Sequence, residues 1–206
     1  MTADSIRFSA IVLAAGTSSR MQGRNKLLLS VGGEPLIRGT VRNVLEARPQ
    51  ETVVVTGFQG PAVSEALAGL PVVLRSNPRF ADGQMTSVAA GAAALQKATD
   101  AVMVCLGDMV LLSGADYREL IDALARLAGP SILVPHYLGQ RGNPVVLAAW
   151  HLPDLVAERR NPGCRNLIEN CPEEVVVHEV AHDRFVFDLD TPDDYDRLLV
   201  RSREAA

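Results

Sequence analysis

Residues 8–29 read FSAIVLAAGTSSRMQGRNKLLL. The first seven are apolar or small and rich in strand formers, with no polar alternation. A strand covered on both faces, as in a parallel sheet, reads this way. The chain then passes into small residues and glycine, and Arg20, Arg24 and Lys26 follow. A strand leading into such a loop suits phosphate: free backbone N–H groups form a concave nest, and Arg20 and Lys26 add charge. The loop matches neither GxxxxGK[ST] nor GxGxxG. A surface loop with solvated basic residues is the plainer alternative. The Gly16-x3-Arg20 and Gly23-x2-Lys26 spacings, placed directly after a buried strand, favour phosphate.

Outward from this stretch the same rhythm repeats. TVVVTG (52–57), PVVLR (71–75), AVMVCL (101–106) and SILVP (131–135) read as further buried strands. Helical patterns over 36–47, 61–69, 84–97 and 115–128 alternate with them, as in an open α/β sheet. The last third departs from that order. GNPVVLAAW (142–150), EVVVHEV (174–180) and RFVFDLD (184–190) predict extra strands and a small antiparallel excursion in a mostly parallel sheet with helices on both faces. Thr191-Pro192-Asp193-Asp194 offers a cap, a first-turn proline and acids for a helix start. RSREAA (201–206) reads as a frayed end. The expectation is a single domain over 1–206 with an ordered core from about 8 to 200.

Composition narrows the function. A net charge of −4 argues against a nucleic-acid coat or an anionic-membrane binder. The six apolar residues AIVLAA are too short and wrongly flanked for a signal-peptide core, and no run approaches a membrane span. Cys105, Cys164 and Cys171 lack metal-type spacing and read as reduced thiols, which places the protein in the cytoplasm.

Asp108, inside AVMVCLGDMVLL (101–112), is a carboxylate planted in a buried run. A buried charge must shift its pKa, find a partner or bind a metal. Just past a strand end, Asp108 faces the crevice where open α/β sheets bind ligands. Beside a polyphosphate it needs an intervening cation, and Mg²⁺ is the usual oxygen-liganded choice; a turn or capping aspartate is the alternative. Asp188 and Asp190 fall on one face of the strand expected at 184–190 and suit the same cation, or else decorate the helix that follows. Asp193 and Asp194 are assigned to that helix start. His136, His151, His178 and His182 sit in no nucleophile motif and read as structural or exposed, with His136 kept as an acceptor-side candidate.

Five segments in order, LAAGTSSRMQGRNKLLL, NPRFADGQMTSVAAG, LGDM, RGNPVVL and DLDTPDDY, resemble the molybdenum cofactor nucleotidyltransferases, within the MobA-like NTP transferase family. The cytidylyltransferase (MocA-like) branch is the most similar. The resemblance runs from about Ser9 to Leu199 and implies a Rossmann-like nucleotidyltransferase fold. It also implies transfer of a nucleoside monophosphate from an NTP to a phosphorylated acceptor, molybdopterin or its molybdenum form, with a client molybdoenzyme downstream. Carried over, Leu13, Ala14, Ala15 and Gly16 lie along base and ribose, and Asn77, Gly83, Ser87 and Gly107 also hold the nucleoside. Arg20 and Lys26 hold the triphosphate, Asp108 and Asp190 (in preference to Asp188) hold Mg²⁺, and Arg141, Gly142, Asn143 and Pro144 meet the acceptor. Lys26, Arg20 and Asp108 form the catalytic set. The guanylyl branch carries Gly-Gly where Ala15-Gly16 stand, and the Ala15 methyl leaves less room beside the base, which favours a pyrimidine and CTP.

Three departures bear on this. Val110 replaces a proline after the Gly-Asp-Met triplet, Gln22 intervenes before Gly23, and Asn143 stands where cytidylyl members often have histidine. Asn143 and Val110 keep open another phosphorylated acceptor, such as a sugar or alditol phosphate; a non-catalytic maturation factor that hands the cofactor to a molybdoenzyme is a further alternative. The missing GxGxxG disfavours an NAD(P)-dependent oxidoreductase.

Overall fold

The computed structural model describes residues 6–127, 131–157 and 171–204. Its first strand, β1 (Phe8–Ala14), is buried along its whole length. It pairs in parallel with β4 (Thr52–Thr56) on one side and β6 (Ala101–Leu106) on the other. Two short strands, β2 (Ser30–Val31) and β3 (Glu34–Pro35), form a separate hairpin between β1 and β4. Beyond β4 lies β5 (Val73–Ser76), also parallel. On the far side of β6 come β9 (Val145–Ala148), β7 (Ile132–Tyr137) and β10 (Val175–Glu179). The short β8 (Gln140–Arg141) folds back on β7. β9 is antiparallel to both β6 and β7, so β7 and β10 run in the same sense as β1. The expected antiparallel excursion is therefore a strand inserted within the sheet.

The helices cover both faces. α1 (Leu36–Glu46), α2 (Gly60–Ala66) and α4 (Gly114–Ala125) lie over one core cluster with the even-numbered residues of β1, including Ala10, Val12 and Ala14. α3 (Gln84–Ala92) and α5 (Leu152–Val156) lie over the other cluster with Ile11 and Leu13. Strand alternation divides β1 between the two cores. Gly91 lets α3 seat against the sheet, since a Cβ there would fall 2.4 Å from Ile11 Cγ2. α4 begins with a capping box between Ser113 and Asp116. The last helix, α6 (Pro192–Glu204), begins as expected: Thr191 Oγ1 donates to Asp194 Oδ2 at 2.7 Å and accepts from the Asp194 amide at 3.3 Å. It runs into the residues read as a frayed end, and Arg201 there pairs with Asp183 at 2.6 Å.

Two expectations need correction. PVVLR reads as a covered strand, but β5 is the sheet edge, with Val73 44% and Leu74 43% exposed. RFVFDLD forms no strand. Asp183–Phe185 is a 3-10 turn and 186–190 run unpaired, anchored by buried Phe185 and Leu189. The Phe185 carbonyl accepts from the Asn143 amide at 2.9 Å, so this backbone is satisfied by a loop instead of a ladder.

Candidate functional site

The path β1, β4, β5 moves to one side of β1, and β6 returns to the other. Strand order therefore switches between β1 and β6, where open α/β sheets leave a crevice at the carboxyl ends. The Gly107 amide donates to the Leu13 carbonyl at 2.9 Å and ties the two strand ends together there. A Cβ on Gly107 would lie 2.8 Å from that carbonyl oxygen, so glycine is required by the close approach.

The loop after β1 is a built structure. Met21 is buried at 2% exposure and pins its middle. Gln22 and Gly23 both take positive φ, 53° and 83°, so the inserted Gln22 is absorbed in a left-handed turn. Asn25 caps a 3-10 turn over Lys26–Leu28, and Ser18 Oγ accepts from the Lys26 amide at 3.1 Å. These bonds aim Lys26 inward. Its ammonium meets Asp108 Oδ2 at 2.6 Å, Asp190 Oδ1 at 3.1 Å and the Leu189 carbonyl at 2.7 Å. Arg20 holds the other Asp190 oxygen at 2.9 Å. Asp108, with its side chain 12% exposed, thus meets a cationic partner in Lys26.

Burial alone would lower the Lys26 pKa, but Asp108 and then Asp190 outweigh it and the pKa rises, so Lys26 stays charged. Asp188 makes no hydrogen bond or ion pair among the described residues. Partial burial raises its pKa, and the charges of Asp108 and Asp190 add to the effect. Three carboxylates thus surround one ammonium, with Arg20 outside. Crowded oxygen donors, one of them unpaired, are a set that fits a hard divalent cation. The path of the loop after Asp108, where Val110 departs from the family pattern, is fixed by Asn43, which donates to the Leu112 carbonyl at 2.8 Å.

These groups line one cavity of about 570 Å³, open to solvent. Of the residues singled out from sequence, Leu13, Ala15, Gly16, Arg20, Lys26, Gly83, Ser87, Gly107, Asp108, Asp188 and Asp190 all face it. Ala14 does not: alternation turns it into the opposite core. Asn77 sits behind the wall, 3% exposed, donating to Thr86 Oγ1 at 2.8 Å and Ser87 Oγ at 2.9 Å. It positions the start of α3. Arg141, Gly142, Asn143 and Pro144 lie outside the cavity lining. Gly142 lies against the Phe185 carbonyl, 2.5 Å from where its Cβ would be, and Arg141 pairs across the β7–β8 ladder with His136. Their end of β7 is the same end of the sheet as Asp108.

Phe80 and Gln84 also line the cavity and were not singled out. Phe80 packs on Gly57, where a Cβ would meet its Cβ at 2.6 Å and Ala15 Cβ at 2.8 Å. The ring in NPRFADG was the available signal. Of the histidines, His151 is buried against Ser131, with Nε2 and Oγ 2.8 Å apart, and His178 pairs with Glu119 at 2.8 Å. Cys105 and Cys171 are buried, while Cys164 lies outside the described residues. Cys171, Glu173 and Glu174 bring ligand atoms close together, away from this cavity. Among the described residues no helix is long and apolar enough to cross a membrane.

An open, mostly parallel sheet with a glycine loop and a cation–carboxylate cavity at its switch point places the protein among the α/β folds that bind ligands at the carboxyl ends of their strands. The sequence model of the MobA-like NTP transferase domain matches residues 10–176, and the chain belongs to that family of nucleotidyltransferases. It is 27% identical to the molybdenum cofactor cytidylyltransferase of Escherichia coli, over 90% of this chain and 92% of that one. Its fold is that of a nucleotidyl transferase from Methanothermobacter thermautotroptrophicus, with TM-score 0.82, 24% identity and coverage of 97% and 99% of the two chains. The CMP:2-keto-3-deoxy-manno-octonic acid synthetase complexed with CTP shares the fold at TM-score 0.79 and 13% identity, covering 97% and 100%.

Proposed function

We propose that this chain is a single-domain, cytoplasmic, Mg²⁺-dependent cytidylyltransferase that transfers CMP from CTP to the phosphate of molybdopterin or its molybdenum form, and releases pyrophosphate. The observation that carries the reading is the meeting of Lys26, Arg20, Asp108 and Asp190 beside Ala15 and Gly16 at the switch point. The molybdopterin acceptor is supported by the cytidylyltransferase relative, and delivery to a client molybdoenzyme belongs to the same proposal.

In the reaction an acceptor phosphate oxygen attacks the α-phosphorus of CTP, and the bond to the bridging oxygen of pyrophosphate breaks. A phosphate monoester has a second pKa of about 6, so it is mostly dianionic at neutral pH and needs no general base. What the protein must supply is alignment and charge neutralisation. Arg20 and Lys26 bind the phosphates that leave. Asp108 with Asp190 or Asp188 would hold Mg²⁺, which when bound neutralises charge on the reacting phosphate. The Ala15 methyl narrows the base-side wall and favours a pyrimidine, and Ser87, oriented by Asn77, faces the nucleoside. The acceptor approaches from the Arg141–Pro144 side.

Pyrophosphate release tests this directly. With CTP, Mg²⁺ and molybdopterin the protein is expected to release pyrophosphate in step with acceptor consumption, and GTP to substitute poorly. Asp108→Asn should lower the rate by about 10²–10³. Release with a sugar or alditol phosphate in place of molybdopterin would overturn the acceptor, and no release with any NTP would overturn the enzyme.

A further inference from the structure

We infer that the Lys26 ammonium is an exchangeable occupant of the cation position, so that divalent metal and Lys26 compete for Asp108 and Asp190 until a nucleotide phosphate takes Lys26 away. The inference rests on the nucleotidyltransferase reading of this cavity and goes beyond it, because it assigns Lys26 a role before any nucleotide arrives.

The geometry is specific. The ammonium spends its hydrogen bonds on Asp108 Oδ2, Asp190 Oδ1 and the Leu189 carbonyl. An ammonium offers three N–H donors, so all are used and none is left for a phosphate. Two of the acceptors are carboxylates suited to a hard cation, and both side chains of the Lys26–Asp108 pair are largely shielded, 17% and 12% exposed. A cation cannot take its place between Asp108 and Asp190 at this distance while the ammonium stays. The exchange is therefore coupled: metal arrival frees Lys26, and a polyphosphate gives the freed charge a new partner. Asp188, unpaired at the cavity wall, is the carboxylate that offers an entering cation a first contact without displacing anything.

A lysine that only binds phosphate weakens metal binding in the absence of nucleotide through its charge alone, an effect that salt screens. A lysine that occupies the metal position also excludes the metal from it, so removing the side chain strengthens metal binding at high salt as well. Loss of a competitor held by charge-assisted hydrogen bonds corresponds to about a 10- to 100-fold gain in metal affinity.

The experiment is a titration of the nucleotide-free protein with Mn²⁺, read as free Mn²⁺ by electron paramagnetic resonance, beside thermal melts with and without the metal. Lys26→Met and Lys26→Gln are both made, so that poor folding of one does not decide the outcome, with Asp108→Asn as control. The expected result is Mn²⁺ binding at least about tenfold tighter in both lysine variants than in the wild type, in high salt as in low, a larger rise in Tm with metal, and weakened binding in Asp108→Asn; a gain that disappears in high salt overturns the inference. In the same variants CTP binds more weakly, the opposite sign. Mn²⁺ binding that is unchanged or weaker in the lysine variants overturns the inference, as does its absence from every protein. No CMP transfer to any acceptor overturns the proposed reaction instead, and leaves the titration result standing.

Discussion

Replacing Gly107 by alanine perturbs the join between the two strands of the switch point. The new Cβ would lie 2.8 Å from the Leu13 carbonyl oxygen and 3.0 Å from Ile37 Cδ1. Ile37 can rotate, but the carbonyl cannot yield: it ends a buried strand and already accepts the Gly107 amide at 2.9 Å. Overpacking in a rigid setting costs about 1–3 kcal/mol, and a backbone neighbour puts this case near the upper end. With a urea dependence of roughly 2–3 kcal/mol/M, the unfolding midpoint should fall by about 1 M. Gly16 supplies the contrast. Nothing lies within 4 Å of a Cβ built there, and its φ is not positive. Gly16→Ala should change stability by less than about 0.5 kcal/mol, yet it adds a methyl to the cavity wall and should weaken CTP binding. Paired urea melts of the two variants decide the matter. A Gly107→Ala midpoint equal to that of the wild type, or a Gly16→Ala loss as large as that of Gly107→Ala, would refute the reasoning.

Other expectations follow from single groups. Asp188 has a folded-state pKa raised by burial and then by Asp108 and Asp190, so it stabilises the fold below its unfolded value near 3.8 and that contribution is lost as pH rises through the folded value. Asp188→Asn should therefore raise Tm at pH 7 and leave it unchanged at pH 3, measured by melts across pH. Asn77→Ala removes two buried hydrogen bonds at the start of α3 and should cost about 1–3 kcal/mol in a urea melt, with weaker nucleotide binding through Ser87. The Tyr117 hydroxyl is buried with no hydrogen-bond partner among the described residues, so Tyr117→Phe should match or exceed wild-type stability by up to about 1 kcal/mol.

β1 and β6 could be read at their true bounds because both faces of each are buried, which leaves an unbroken apolar run between loop residues. β5 looks the same in sequence, yet it is an edge: Val73 and Leu74 contact too little to reveal that position from composition alone. The 184–190 segment misled because Phe185, Phe187 and Leu189 alternate like a strand, whereas the pairing that would make one was taken by the Asn143 loop. Most of the site was legible because its residues follow strand ends, where an α/β sheet exposes its crevice. The Lys26–Asp190 contact was not, since it joins residues 164 apart whose meeting depends on how the last segment returns over the sheet. Asn77 was singled out, but its contacts with the Thr86 and Ser87 hydroxyls were not legible: whether a buried amide faces a cavity or its neighbours depends on a few ångströms that no pattern carries.

The cavity between β1 and β6 is the proposed nucleotide site, completed by a divalent cation. Calorimetric titration of the wild type and Asp108→Asn with CTP, GTP, ATP and NAD(P)H, with and without Mg²⁺, tests that most directly. CTP is expected to bind tightest, its binding to strengthen with Mg²⁺, and Asp108→Asn to abolish the Mg²⁺ dependence. Binding of NAD(P)H with Asp108→Asn behaving as wild type, or no binding of any NTP, would contradict it.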